Sequence, residues 1–239
     1  MKVYTTKCGE AIVYDWICRR RKTAELRIDP RKGLQAITPM GWTQKQLETL
    51  LEKKKKWILS HIQRMKLQEA AFSSLSEQRN DQLLYRGRWY PIQRETGPHR
   101  KPKVDFTGGA FFLWKGIDTT RDEERAAIVA WFKVEAQQLL EERVQAHAPK
   151  IAGSPKMVKA KEQKKRWGSC THDDRLLFNW RLALAPPEVL DSVVVHELCH
   201  MVHKNHSKEF WNLLDHHHPD YGESKKWLKN NGHLLFWLD

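Results

Sequence analysis

Residues 196–200 read His-Glu-Leu-Cys-His, the pattern H-E-x-x-H. On a helix the two histidines, at i and i+4, share one face roughly 6 Å apart along the axis. Both imidazoles then reach one zinc ion, and Glu197, beside the first ligand, faces the metal-bound water and takes its proton. Zinc lowers the pKa of that water to about 7. Three valines, Val193 to Val195, lead into the motif, so the helix runs through a buried environment. Polar His-Glu-His side chains on such a helix are costly without a metal or hydrogen-bond partners. The competing reading is a helix with two core histidines and a solvated glutamate.

A zinc site needs more than two protein ligands. His206 follows His200 by six residues, the ligand spacing of H-E-x-x-H-x-x-G-x-x-H, with His203 where that motif has glycine. Asn205 is the candidate for the turn, because Asn tolerates the left-handed conformation at a helix end. Ser207 then caps a further helix through Phe210, Trp211, Leu213 and Leu214. His203, at i+7 from His196, lies roughly 10 Å further along the same face and reads as supporting or substrate-facing. His216, His217, His218 and Glu223 stay open as other ligands, against a solvated helix end stopped by Pro219.

Three stretches around this motif carry a likeness. They are Arg166-Trp167-Gly168-Ser169-Cys170, Asn179 to Pro186, and His196 to Trp211. Together they resemble the YgjP-like metallopeptidase family of zincin-type hydrolases, related in motif to the SprT and WLM families. The resemblance implies one zinc held by His196, His200 and His206, with Glu197 as the base. It implies the chemistry rather than the substrate, and the expected substrate is a peptide or protein, or an anionic nucleotide. Arg166, His203 and Tyr221 are candidates for transition-state stabilisation or substrate binding.

Composition bounds the alternatives. A formal net charge of +13 favours anionic partners. Two other functions therefore stay open. One is a nucleotide phosphohydrolase of the nucleoside triphosphate pyrophosphatase type using the same site, without a P-loop. The other is a nucleic-acid binder with a structural zinc. Neither a run of about eighteen apolar residues nor a signal-peptide core is present, so no membrane segment is expected. Cys8, Cys18, Cys170 and Cys199 form no C-x-x-C pair, which fits reduced thiols in a cytoplasm. Cys199 points about 100° away from His200 and is left out of the metal shell. The eleven tryptophans suggest aromatic anchors in a core or cleft.

The expected fold is α+β, with an N-terminal small sheet plus helix over residues 1–118. A zincin-like domain over 119–239 follows, its metal helix packed on a β-hairpin. Strands are expected at 11–17, 24–28 and 34–38, with the Arg19–Lys22 run as a hairpin end. Thr43 and Gln46 form a capping box for a helix carrying Leu47, Leu50, Leu51, Ile58 and Ile62, with Lys53–Lys56 on its solvated face. Residues 66–82 read as a linker. Strands follow in 83–92 and 103–114, then a long helix over 119–147. Lys156–Lys165 is the expected peptide-binding edge strand and 176–184 the next strand. Pro186-Pro187 starts the metal helix. No repeat is evident.

Overall fold

The computed structural model describes residues 1–29, 32–79, 81–163 and 165–238, with side chains outside 68–78. The chain forms two compact units, Met1–Leu75 and Ser76–Asp239. The fold is mixed α and β, with the metal motif in the second unit.

The first unit contains β1 (Lys2–Thr5), β2 (Ala11–Arg19), β3 (Glu25–Asp29), β4 (Gly33–Pro39) and most of α1 (Gln44–Gln78). Alternating residues on the strands, Ile12, Tyr14, Leu34 and Ala36, meet Leu47, Leu51 and Ile58 of α1 in a closed core. The capping box forms as the sequence indicates. The Thr43 N–H donates to Gln46 Oε1 at 2.8 Å, and the Gln46 N–H donates to Thr43 Oγ1 at 3.3 Å. Two expectations are corrected. The sheet order β1-β2-β4-β3 puts β4 between β2 and β3, so the arginine run lies in a crossover rather than a hairpin end. The helix also continues to Gln78 through the expected linker, where Ala, Glu, Gln and Leu favour helix over coil. The first 75 residues hold 16 lysines and arginines against 7 aspartates and glutamates, a net +9 of the chain's +13.

The second unit begins with β5 (Gln82–Tyr85), β6 (Arg88–Thr96), β7 (Lys103–Thr107) and β8 (Ala110–Lys115), followed by α2 (Arg121–Ile151). The sequence reading draws the domain line at 118/119. The compact units divide at 75/76 instead, because these strands share one core with α2 and the metal helix through Phe111, Phe132, Leu140 and Val194. Both four-stranded sheets have the same topology: two antiparallel hairpins joined by a parallel central pair, then a helix opened by a capping box. The structure thus contains a repeated ββββα arrangement that the sequence does not display.

Next come β9 (Met157–Lys161), β10 (Gly168–Cys170) and β11 (Arg175–Asn179), in the order β10-β11-β9. β11 is shorter than expected. Asn179 Oδ1 accepts the Arg181 N–H at 3.1 Å and opens a buried 3-10 helix, Trp180–Leu184. An unbroken apolar run has no periodicity to separate the two conformations. The β5–β6 turn docks on this segment: the Arg86 N–H donates to Ala183 O and the Gly87 N–H to Leu184 O. Gly87, at φ +78°, comes so close that a β-carbon would lie 2.7 Å from Pro186 Cγ.

Pro187 then opens α3 (Pro187–Val202), which bears the motif. Arg143 of α2 grips Asp191 of α3 with two hydrogen bonds of 2.6 and 2.7 Å, fixing the register of the two helices. α4 (Lys208–His217), α5 (Tyr221–Asn231) and a short 3-10 segment, Gly232–Phe236, complete the unit. Among the described residues no helix is long and apolar enough to cross a membrane. The four cysteines are free.

β9 is corrected as the peptide edge. Two main-chain groups at its centre are already engaged by Gln137 of α2, whose Nε2 donates to Val158 O at 2.9 Å while its Oε1 accepts the Ala160 N–H at 2.8 Å. Lys164, within the expected strand, lies outside the described residues. Replacing Gln137 by Leu strands two backbone groups at once, and each unsatisfied buried group costs about 1–3 kcal/mol. Gln137→Leu is expected to lower the urea midpoint with little change in slope; an unchanged midpoint would show that water replaces the amide without loss.

Candidate metal centre

Three histidines from α3 and the segment after it converge. His196, His200 and His206 each offer one nitrogen, all within 4.8 Å of one another, and the Nε2 atoms of His196 and His206 are 3.2 Å apart. Nitrogens bound tetrahedrally at zinc–nitrogen distances are about 3.3 Å apart, so the spacing suits such an ion. His200 Nδ1 lies 3.0 Å from His203 O. A carbonyl only accepts, so Nδ1 carries the proton and Nε2 is left as the electron-pair donor. His196 Nδ1 is buried and has no partner among the described residues.

The local backbone explains the convergence. α3 ends at His203, which is extended at φ −121° and ψ 104°, while its N–H still bonds Cys199 O. Asn205 has no positive φ, so the expected left-handed turn is replaced by this extended residue. His203 serves through its backbone; its imidazole is outside the cluster. Ser207 caps α4 by accepting the Phe210 N–H. Capping places Phe210, fully buried, beneath all three imidazoles, with centroid distances of 5.0, 4.5 and 4.7 Å to His196, His200 and His206. Trp211 stacks on His206 and Tyr221 on His196. Lys204 donates to Asp174 Oδ1 at 2.5 Å and ties the ligand loop to the β10–β11 turn.

Burial, with the charges of His200, His206 and Lys225, pushes His196 down to about 3. Burial likewise lowers His200. These two imidazoles are therefore neutral near pH 7, the form that binds a metal. Burial acts oppositely on Glu197, raising it to about 7 against the Cys170 N–H hydrogen bond and the Arg166 charge. Cys199 faces away from the cluster, in a small core with Val195, Phe210 and Leu214. His216 and His217 end α4, and Glu223 is exposed; neither they nor His218 joins the cluster.

Gly168 bears on the chemistry of the site in a way the sequence does not mark. A β-carbon there would stand 2.6 Å from Glu197 Oε1 and 2.7 Å from its Cγ. β10 therefore brings bare backbone against the carboxyl. The signal was the adjacency of Trp167 and Gly168, but its meaning required the α3–β10 packing. A cleft of about 320 Å³ opens beside Glu197 and His196, lined also by Trp167, Tyr221, Lys225, Leu228 and Lys229. Gly168→Ala is expected to displace the Glu197 side chain and cut turnover at least 10²-fold, the lower end for losing a positioned acid–base group, while bound metal is retained. Full turnover in that variant would mean that the contact is readily relieved.

The YgjP-like family model, described as a metallopeptidase domain, matches residues 22–231. No curated protein and no solved structure matches the chain. The family match spans both units and includes the three histidines and Glu197, so the chain belongs to the YgjP-like family through its metallopeptidase domain.

Proposed function

We propose that the protein is a zinc-dependent peptidase, with His196, His200 and His206 holding one zinc and Glu197 as general base and then general acid. The observation carrying this reading is three converging imidazoles beside a buried carboxyl. Zinc in this site supplies Lewis acidity and acidifies water. Glu197 takes the proton of the attacking water and returns it to the leaving amine. Tyr221 is the best placed of the three candidates to donate to the developing oxyanion. It lines the same cleft as Glu197, and burial followed by the Glu197 charge raises its hydroxyl, which keeps its proton at neutral pH. Arg166 acts on Glu197 through its charge. β10 is the sheet edge lying against α3, and its Cys170 N–H is held by Glu197.

A second reading, association with nucleic acid, is favoured by one observation: most of the net charge belongs to the first 75 residues. Such binding is expected to weaken steeply between 50 and 200 mM salt, by on the order of 10³ if about six phosphates are neutralised. Salt-independent or undetectable binding of labelled oligonucleotides to the full chain rejects it.

The peptidase reading is tested by zinc content and hydrolysis measured in the same preparations, against peptides and nucleoside triphosphates. Glu197→Gln is expected to keep zinc and lose about 10²–10⁴-fold in rate. His206→Ala is expected to lose zinc, whereas His203→Ala keeps it. Hydrolysis confined to triphosphates makes the site a phosphohydrolase, and zinc lost only from His203→Ala overturns the ligand set.

A further inference from the structure

The cleft beside Glu197 has more character than catalysis alone requires. One wall is Trp167, locked in place by two neighbours. A β-carbon at Gly232 would lie 3.0 Å from its ring, and Phe236 packs at a centroid distance of 5.7 Å. Leu228 adds a second apolar surface. Above these stand Lys225 and Lys229, one turn apart on α5 and both lining the cleft. Neither has a carboxylate within ion-pair distance among the described residues, whereas their neighbour Lys226 lies 3.8 Å from Glu223. The Lys225 ammonium lies 5.9 Å from the centroids of both Tyr221 and Trp211. Tyr221 in turn stacks on His196 at 5.4 Å and 15°. One aromatic ring therefore separates this cation from a metal-site histidine. Among the described residues the only acid lining the cleft is Glu197.

From this arrangement we infer that the cleft selects substrates with an aspartate or glutamate next to the scissile bond. The inference rests on the peptidase reading and adds a substrate class to it. An acidic side chain lays its methylenes on Trp167 and Leu228 and brings its carboxylate to Lys225 and Lys229. A lysine or arginine of the substrate meets two like charges at the same place, and rejection by repulsion contributes to specificity as much as attraction does. The lysines are exposed, so each pairing is weak, and reversing both charges changes the acidic-to-basic preference by roughly 10-fold.

The test has two arms. In the first, a randomised peptide library is digested by the zinc-loaded protein and the cuts are read by mass spectrometry. Aspartate and glutamate are expected to be enriched within two positions of the cut. Lys225→Glu/Lys229→Glu is expected to shift that enrichment to lysine and arginine at unchanged zinc content. Cleavage without acidic enrichment, or enrichment untouched by the double reversal, overturns the inference and leaves the peptidase reading standing. The second arm needs no turnover. Labelled peptides carrying Glu, Gln, Lys or phosphoserine at one position are titrated onto the zinc-loaded Glu197→Gln protein. Tightest binding of Glu, lost on the double reversal, supports the cleft assignment even if the wild-type protein cleaves no peptide, which would sink only the peptidase reading. Equal binding of Glu and Gln overturns it, as does a phosphoserine peptide bound far more tightly than Glu, which would make the occupant a phosphoryl group.

Discussion

The convergence of the three histidines depends on one break in hydrogen bonding, at His203. A continuous helix would carry residues beyond His200 along the axis and away from the first two imidazoles. His203 stops it by turning extended while its N–H still bonds Cys199 O. The carbonyl released from the helix does not go unsatisfied, because His200 Nδ1 donates to it. One peptide group therefore ends the helix and orients the His200 imidazole. Ser207 then starts α4 within four residues, and Phe210 arrives beneath the three rings as their common floor.

The same economy of space governs Glu197. Glu197 is only 6 % exposed, and burial favours the protonated form of its carboxyl. The Cys170 N–H and the Arg166 charge act in the opposite sense, and the balance lies close to neutral pH. Gly168 makes that balance attainable, because any side chain there would occupy the space of the carboxyl itself. The Lys204–Asp174 pair holds the β10–β11 turn to the loop before α4, so the strand that shapes the Glu197 carboxyl and the segment that bears the third histidine are coupled.

The two ββββα arrangements show how topology recurs without visible likeness in sequence. Each begins with a hairpin, places a parallel pair at its centre and ends in a helix opened by a Thr-x-x-Gln or Thr-x-x-Glu capping box. The first closes a core of its own around Tyr14, Leu47 and Leu51. The second opens its core to α3, the 3-10 helix at Trp180–Leu184 and the C-terminal segment, and so supports a site. The first carries most of the chain's net positive charge.

Local chemistry was legible in the chain itself. Period-two alternation marked β2, β4 and β8; the capping box marked α1; Pro186-Pro187 marked the start of α3; and the spacing of His196, His200 and His206 named the cluster before any contact was visible. These features depend on residues a few positions apart, where backbone geometry alone dictates which side chains meet. The rest depended on partners distant in sequence. Gln137 closing the edge of β9, Gly168 making way for Glu197, Tyr221 stacking on His196 and the lysines of α5 lining the cleft all follow from packing between elements. The unit boundary belongs to the same class, because β5 to β8 join the metal helix through a shared core that only the tertiary structure closes. Periodicity and spacing determine which face of an element is apolar or reactive, and only the close packing of those faces decides what each one meets.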